Sequence, residues 1–338
     1  MRFSSILSSV LEQFRASNGW QVVPFITGKP GGGKSACARE VAQQLALELG
    51  IPPTRIIEFN PSLREPCDIL GLPQMKGDHC EWLPPDEFYQ IREGVGPSIL
   101  IVEELTDAPM DMQNPMCRVI LDRYAGQMKL TTPLYIIATG NRTEDRSGAF
   151  RLSTKLSNRM RTLTFQESIE DWTAWAQSQN VDSVLVGFLN FRPNLLSDFD
   201  PQRDVNPTPR SWEDVSRIPT TLDEVVYFEH VAGAVGQGAA AEYVGFRKVY
   251  LSLPKFEDII ASPKKALIPE EPSAKYAMVT YLAEHLDKDN AGAIADYIKR
   301  FDPEYTYLCL KGLKNLNPSC LRHPKLARLY GSLGSNLL

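Results

Sequence analysis

The residues Gly28-Lys29-Pro30-Gly31-Gly32-Gly33-Lys34-Ser35 fit the pattern G-x-x-x-x-G-K-[ST]. The match follows an apolar run and precedes a helical stretch with no breaker for about four turns, the setting this chemistry needs. Glycines let the backbone curl until successive N–H groups point at one anion, and a helix N-terminus adds its partial positive charge. The chemistry predicted is phosphate binding by Gly28, Pro30, Gly31, Gly32, Gly33, Lys34, Ser35 and Ala36. Lys34 reaches the β- and γ-phosphates of a nucleoside triphosphate, and the Ser35 hydroxyl serves as a ligand to Mg²⁺. A plain glycine-rich turn is the alternative, and the strand–loop–helix setting argues against it.

A second chemical signal is Ser98-Ile99-Leu100-Ile101-Val102-Glu103-Glu104, a buried-strand pattern ending in two acids. Triphosphate hydrolysis needs one carboxylate near the magnesium ion and a group that orients the attacking water. Adjacent side chains on a strand face opposite ways. At a strand's end, however, both acids can reach the crevice where open α/β sheets bind ligands. Glu103 is thereby assigned to the magnesium shell and Glu104 to the role of water-polarising base. Two solvated acids capping a strand are the competing reading.

These residues must be positioned by an α/β domain. Short apolar runs at 22–27, 55–59, 98–102, 134–139 and 161–165 read as strands, with helices at 34–49 and 110–124 between them. That alternation predicts a largely parallel sheet covered by helices on both faces. The stretch 63–96, richer in Pro, Gly and acids, reads as an insertion carrying a hairpin. After about residue 168 the pattern is helical only, at 169–177, 183–189, 211–217 and 222–235, then at 274–286 and 291–301 beyond a Pro-rich stretch at 262–272. The expected organisation is an α/β nucleotide-binding domain over 1–168, a helical lid over 169–262 and a helical C-terminal extension over 263–338.

With the two chemical motifs placed, the order of the remaining features resembles the MoxR branch of AAA+ ATPases. It is most similar to bacterial and phage members paired with a von Willebrand factor A (VWA) domain protein. Cys67-Asp68-Ile69-Leu70-Gly71 is similar to the element that opens the helix-2 insert of that branch, and the run from Gln113-Asn114-Pro115 to Leu121-Asp122-Arg123 resembles its next helix. Ile136-Ile137-Ala138-Thr139-Gly140-Asn141 looks like sensor 1, with Asn141 aimed at the γ-phosphate and water. Leu156-Ser157-Asn158-Arg159-Met160 resembles the element whose arginine, here Arg159, serves a neighbouring subunit; Arg161 and Arg123 compete for that role. Pro207-Thr208-Pro209-Arg210 resembles sensor 2 of the lid. Thr208 and Pro209 also read as an N-cap and a first-turn proline. They leave Arg210 at a helix start, where a cation is disfavoured unless an anion is near.

The resemblance implies an AAA+ P-loop core with a parallel five-stranded sheet, ATP and Mg²⁺ as cofactors, and ATP hydrolysis in a homo-oligomeric, hexameric ring. It further implies remodelling or maturation of a protein partner through a VWA-domain adaptor, with the insert and its Trp82 near the central pore. One departure stands out: the family's acid pair usually reads Asp-Glu, and here it is Glu103-Glu104.

Bulk properties agree with a globular chain of more than one domain. There are 338 residues, 43% hydrophobic and 23% charged. A net charge of −5 and a pI near 5.6 argue against a nucleic-acid-coating protein. The tail is a local exception: after Pro303, Lys311, Lys314, Arg322, Lys325 and Arg328 face only Glu304. Interleaved leucines make a packed helical region with a basic face the simpler account. A nucleic-acid motor or nucleotide-gated DNA-binding subunit is the alternative function, and a static ATP-gated scaffold a third. The first helical pattern (Phe3, Ile6, Leu7, Val10, Leu11, Phe14) is interrupted by serines, so neither a signal peptide nor a membrane segment is expected. The six cysteines lack C-x-x-C spacing and read as reduced thiols of a cytoplasmic protein, in a bacterial host cell if phage-encoded. The four histidines form no zinc or triad signature.

Overall fold

The computed structural model describes residues 1–16, 18–83, 85–130, 133–145, 148–316 and 322–334. Pro84 of the insert, and Cys320 and Leu321 of the tail, lie outside the described residues. The chain divides into two compact units, Met1–Asp171 with Phe199–Asp204 and Thr208–Arg210, and the remainder from Trp172.

The first unit is built on a five-stranded parallel sheet: β1 (Pro24–Gly28), β2 (Ile56–Phe59), β5 (Ser98–Val102), β8 (Leu134–Asn141) and β9 (Arg161–Thr164), in the order β2-β5-β8-β1-β9. Two hairpins, β3 (Leu72–Lys76) with β4 (His79–Leu83) and β6 (Tyr124–Ala125) with β7 (Met128–Lys129), stand apart from it. Its helices are α1 (Phe3–Arg15), α2 (Lys34–Leu49), α3 (Cys67–Leu70), α4 (Asp86–Glu93), α5 (Met110–Asp122) and α6 (Thr154–Ser157).

Two apolar layers follow from strand alternation. Ile99 and Ile101 of β5 and Ile137 of β8 face one layer with Ile6, Val10 and Phe14 of α1 and Val41 and Leu45 of α2. Leu100, Val102, Ile136 and Ala138 face the other, with Phe88 and Ile91 of α4 and Met112, Met116 and Val119 of α5. A sheet buried on both faces explains why these strands read as unbroken apolar runs. It also leaves the C-terminal strand ends as the natural ligand crevice. The α/β class expected from the sequence, with a parallel five-stranded sheet behind the loop, is the one observed.

The 63–96 insertion does carry a hairpin, β3–β4, and every residue of both strands is exposed. The second unit is helical: α7 (Ile169–Ser178), whose first residues belong to the first unit, α8 (Ser183–Phe191), α9 (Pro209–Val215), α10 (Glu224–Val235), α11 (Gln237–Leu251), α12 (Phe256–Ala261), α13 (Pro272–His285), α14 (Ala291–Ile298), α15 (Pro303–Leu316) and α16 (Pro324–Gly334). Phe188, Trp212, Tyr243 and Phe246 form an aromatic cluster on one side of it. The Pro-rich stretch near 262–271 is clasped rather than free: Arg300 donates to the carbonyls of Pro263 and Ala266, and the Tyr297 hydroxyl to that of Leu267. Ile259 of α12 shares a core with Met278 and Leu282 of α13, so helices on both sides of this stretch pack together. Among the described residues no helix is long and apolar enough to cross a membrane.

Candidate functional site

The 28–35 loop leaves β1 and runs straight into α2, whose N-cap is Gly33 at φ 106°. Gly31 is also left-handed, at φ 70°, a conformation that glycine adopts without steric cost. The loop is packed from behind. A Cβ on Gly31 would lie 2.8 Å from Thr208 Oγ1, and one on Gly32 would run into Glu167 Oε1.

Lys34 is buried, and its ammonium donates to the carbonyls of Gly28 (3.0 Å) and Lys29 (2.6 Å) and to Asn141 Oδ1 (2.9 Å). Burial pushes its pKa down to about 8, against the pull of Glu167, Asp145 and Asp107. Asn141 is delivered by sheet register: it is the partner of Gly28 across the β1–β8 pairing. Its amide nitrogen donates to Asp107 Oδ2 (2.9 Å), so Asn141 bridges Lys34 to an acid that the sequence reading passed over. Burial pushes the Asp107 carboxyl up from its ordinary value.

The acid pair sits at the end of β5, beside β2 and β8. Glu104 has φ 52°, unusual for a residue with a side chain. Backbone bonds hold it there: its own N–H donates to Thr139 Oγ1 (3.3 Å), and the Leu105 N–H donates to the Thr139 carbonyl (2.9 Å). This left-handed step breaks strand alternation. The Glu104 carboxylate accepts from Asn60 Nδ2 at 2.8 Å. Glu103 stays largely shielded and accepts from Arg39 Nη2 at 2.7 Å, while the nearby Ser35 hydroxyl favours its charged form. Burial pushes the Glu103 carboxyl up, and Arg39 counters it. Ser35 and Glu103 offer hard oxygen donors side by side, the type Mg²⁺ takes together with phosphate oxygens and water. Among the described residues no cluster of three or more His, Cys, Asp or Glu suits a metal by itself.

The structure therefore brings Lys34, Ser35, Glu103, Glu104 and Asn141 to one end of the sheet. Thr208–Arg210 packs with this first unit rather than with the helices around it in sequence. The physical reason is local: Thr208 lies against Gly31, and the Arg210 N–H donates to the Gly31 carbonyl at 3.3 Å. The positive charge of Arg210 also acts on Lys34. Arg159 is exposed just past α6, and among the described residues its guanidinium makes no ion pair. Arg161 is exposed on β9. Arg123 is turned inward and donates to the carbonyls of Ile120 and Trp20. Burial pushes its pKa down to about 10.

Asn60, Asp107 and Arg39 are the contributors that sequence reading missed. Asn60 and Asp107 sit just beyond the ends of β2 and β5, where only register shows what they meet. Arg39 lies one turn past Ser35 on α2, and that spacing was the available signal. In the tail, Lys325 pairs with Asp296 at 2.7 Å and Lys314 lies over the Tyr330 ring, while Leu310, Leu313 and Leu326 are buried.

No protein-family model matches the sequence, and neither does any curated protein. Among solved structures, NtrX from Brucella abortus is similar over 98% of this chain and 68% of its own, at 16% identity and a TM-score of 0.42. Its complex with ADP gives 15% identity and 0.35 over the same shares. A RuvB variant from Thermotoga maritima is similar over 96% of this chain and 86% of its own, at 13% identity and 0.37. At such scores the likeness carries no weight beside the strand order and the loop. Those two features define the class: a P-loop-type α/β core with a parallel five-stranded sheet, in a chain that also carries a helical unit.

Proposed function

We propose that this chain is a magnesium-dependent ATPase of the MoxR type, hydrolysing ATP in a homo-oligomeric, hexameric ring. The observation that carries the reading is the convergence of Lys34, Ser35, Glu103, Glu104 and Asn141 at the C-terminal end of one parallel sheet. In this reading the loop amides of 31–36 and the Lys34 ammonium bind the β- and γ-phosphates, which take over from the loop carbonyls as partners of Lys34. Ser35 and Glu103 would hold the magnesium ion, which would supply positive charge beside the phosphates. Glu104 accepts a proton from the attacking water, and its anchor on Asn60 sets the direction of that carboxylate. Asn141 orients the water or the γ-phosphate, with Asp107 fixing its amide. Arg210 lies on the same side as Lys34 and supplies a second cation.

Arg159 acts on the site of a neighbouring subunit. Its exposure and lack of an ion pair leave it available for that role, whereas the inward turn of Arg123 weighs against that competitor. The ring couples turnover to remodelling or maturation of a protein partner through a VWA-domain adaptor, with the β3–β4 hairpin and Trp82 as the moving contact. Residues 169–262 serve as the lid and 263–338 as its extension.

The test is phosphate release by the parent chain and by Arg159→Ala. Steady Mg²⁺-dependent turnover is expected from the parent. The variant should bind ATP nearly normally and lose on the order of 10³-fold or more in turnover, as expected for an arginine supplied in trans. Equal turnover in both would remove Arg159 from the mechanism, and no turnover in the parent would leave a static nucleotide-gated scaffold.

A further inference from the structure

Glu103 stands where the resembling family carries an aspartate, and one methylene more of reach allows its carboxylate more poses. The structure surrounds it unevenly. Arg39 Nη2 holds Oε1 at 2.7 Å, and the Ser35 hydroxyl near the carboxylate favours its charged form. Arg39 is itself held by Glu58 of β2, through Nε to Oε1 and Nη2 to Oε2, both at 2.9 Å. Glu58–Arg39–Glu103 is thus a continuous chain of charge-assisted hydrogen bonds from the outer strand of the sheet to the acid at the end of β5.

We propose that Arg39 is a positioning residue for the magnesium shell, pinning one oxygen of Glu103 so that the other is presented beside Ser35. The proposal rests on the reading of Glu103 as a magnesium-shell carboxylate.

The sign of the effect follows from the charges. A lone arginine beside a metal-binding carboxylate would repel the cation and lower its affinity. Here the bidentate contact with Glu58 already offsets the charge of Arg39, so the net field at the site is small and the geometric effect is left. Glu58 also repels Glu103, and Arg39 is what separates the two acids. The side chains of Arg39 and Glu58 are 43% and 45% exposed, against 15% for Glu103. Ion pairs that exposed add little to stability. A purely structural role is therefore a poor account of an arginine making three bonds to two acids.

The experiment titrates MgCl₂ against binding of the fluorescent analogue mant-ATP, and measures mant-ATP affinity in EDTA separately. Arg39→Met and the charge-balanced Arg39→Met/Glu58→Gln are compared with the parent. Partners that orient a metal ligand typically change metal affinity 10- to 100-fold. Both variants should need about tenfold more Mg²⁺ for half-maximal effect, with metal-free affinity and melting temperature close to the parent's. The double variant is decisive, because its net charge equals that of the parent. If it matches the parent's Mg²⁺ requirement, Arg39 acts through charge alone and the proposal is wrong. A loss of metal-free affinity as large as the metal-dependent loss would also overturn it, as a sign of general damage. If the parent binds no mant-ATP, or binds it with no response to Mg²⁺, the functional reading itself fails and the positioning role falls with it.

Discussion

At the scale of single residues, Lys34 carries the sharpest consequence. Its pKa is pushed down to about 8 because the ammonium is buried against carbonyls and an amide oxygen rather than paired directly with a carboxylate. The ordinary value is 10.5. Between those two values the unfolded chain holds more protons than the folded one, so the stability of the free protein rises with pH across that window. ATP affinity runs the other way. Bound phosphates favour the charged ammonium, so below about pH 8 the site is ready, and above it binding must take up a proton. The mant-ATP dissociation constant should be flat from pH 6.5 to 7.5 and then weaken by up to tenfold per pH unit towards pH 9.5. A flat profile through pH 9.5 would show that Lys34 does not titrate in this range. Burial also pushes the nearby Asp107 and Glu103 carboxyls up from their ordinary values.

At the scale of elements, the loop and the strands were legible because each rests on a local rule. Glycine spacing announces the turn between β1 and α2, and unbroken apolar runs announce strands buried on both faces. Asn60, Asp107 and Arg39 escaped because their roles arise from register between segments far apart in sequence. Val102 pairs with both Phe59 and Ala138, and this alone brings Asn60 and Asn141 to the acids of β5. The helical half was read with shifted ends, and α11, whose small and large apolar residues spread around the helix, was not singled out as one. The packing of Thr208 against Gly31 belongs to the same class of non-local fact, and it can be tested. Gly31→Ala places a Cβ 2.8 Å from Thr208 Oγ1 and asks alanine to hold φ 70°. The backbone part alone costs about 1–2 kcal/mol, so mant-ATP affinity should fall at least about fivefold. Adding Thr208→Ala removes the steric part only, and should recover part of the loss. Full recovery would mean that backbone strain at Gly31 is negligible, and no recovery would mean that Thr208 is not what the loop rests on.

At the scale of the whole molecule, the site looks unfinished in one respect. The first unit supplies the glycine loop, the acids Glu103 and Glu104 and two nearby cations, Lys34 and Arg210, while Arg159 stands exposed with no carboxylate partner among the described residues. The fully exposed β3–β4 hairpin raises the same question. Its cross-strand pairs place Pro73, Met75, Cys80 and Trp82 on one side, and Gln74, Lys76, His79 and Glu81, with Leu72 and Leu83 at the base, on the other. In the proposed ring, both features would meet another chain. Glu104→Gln tests that ring, because the amide keeps the Asn60 contact sterically possible but cannot accept the proton from water. With ATP this variant should persist as a hexamer by mass photometry, whereas the parent exchanges subunits as nucleotide turns over. Adding Arg159→Ala should leave nucleotide binding intact, because in the proposed ring the arginine serves the neighbour and not its own loop. Affinity capture of the Glu104→Gln chain from its native host should then yield a VWA-domain protein. Nucleic acid in its place, bound with a steep dependence on salt, would transfer the machine to the class of nucleic-acid motors; a variant that stays monomeric with ATP bound would show that no neighbour completes the site.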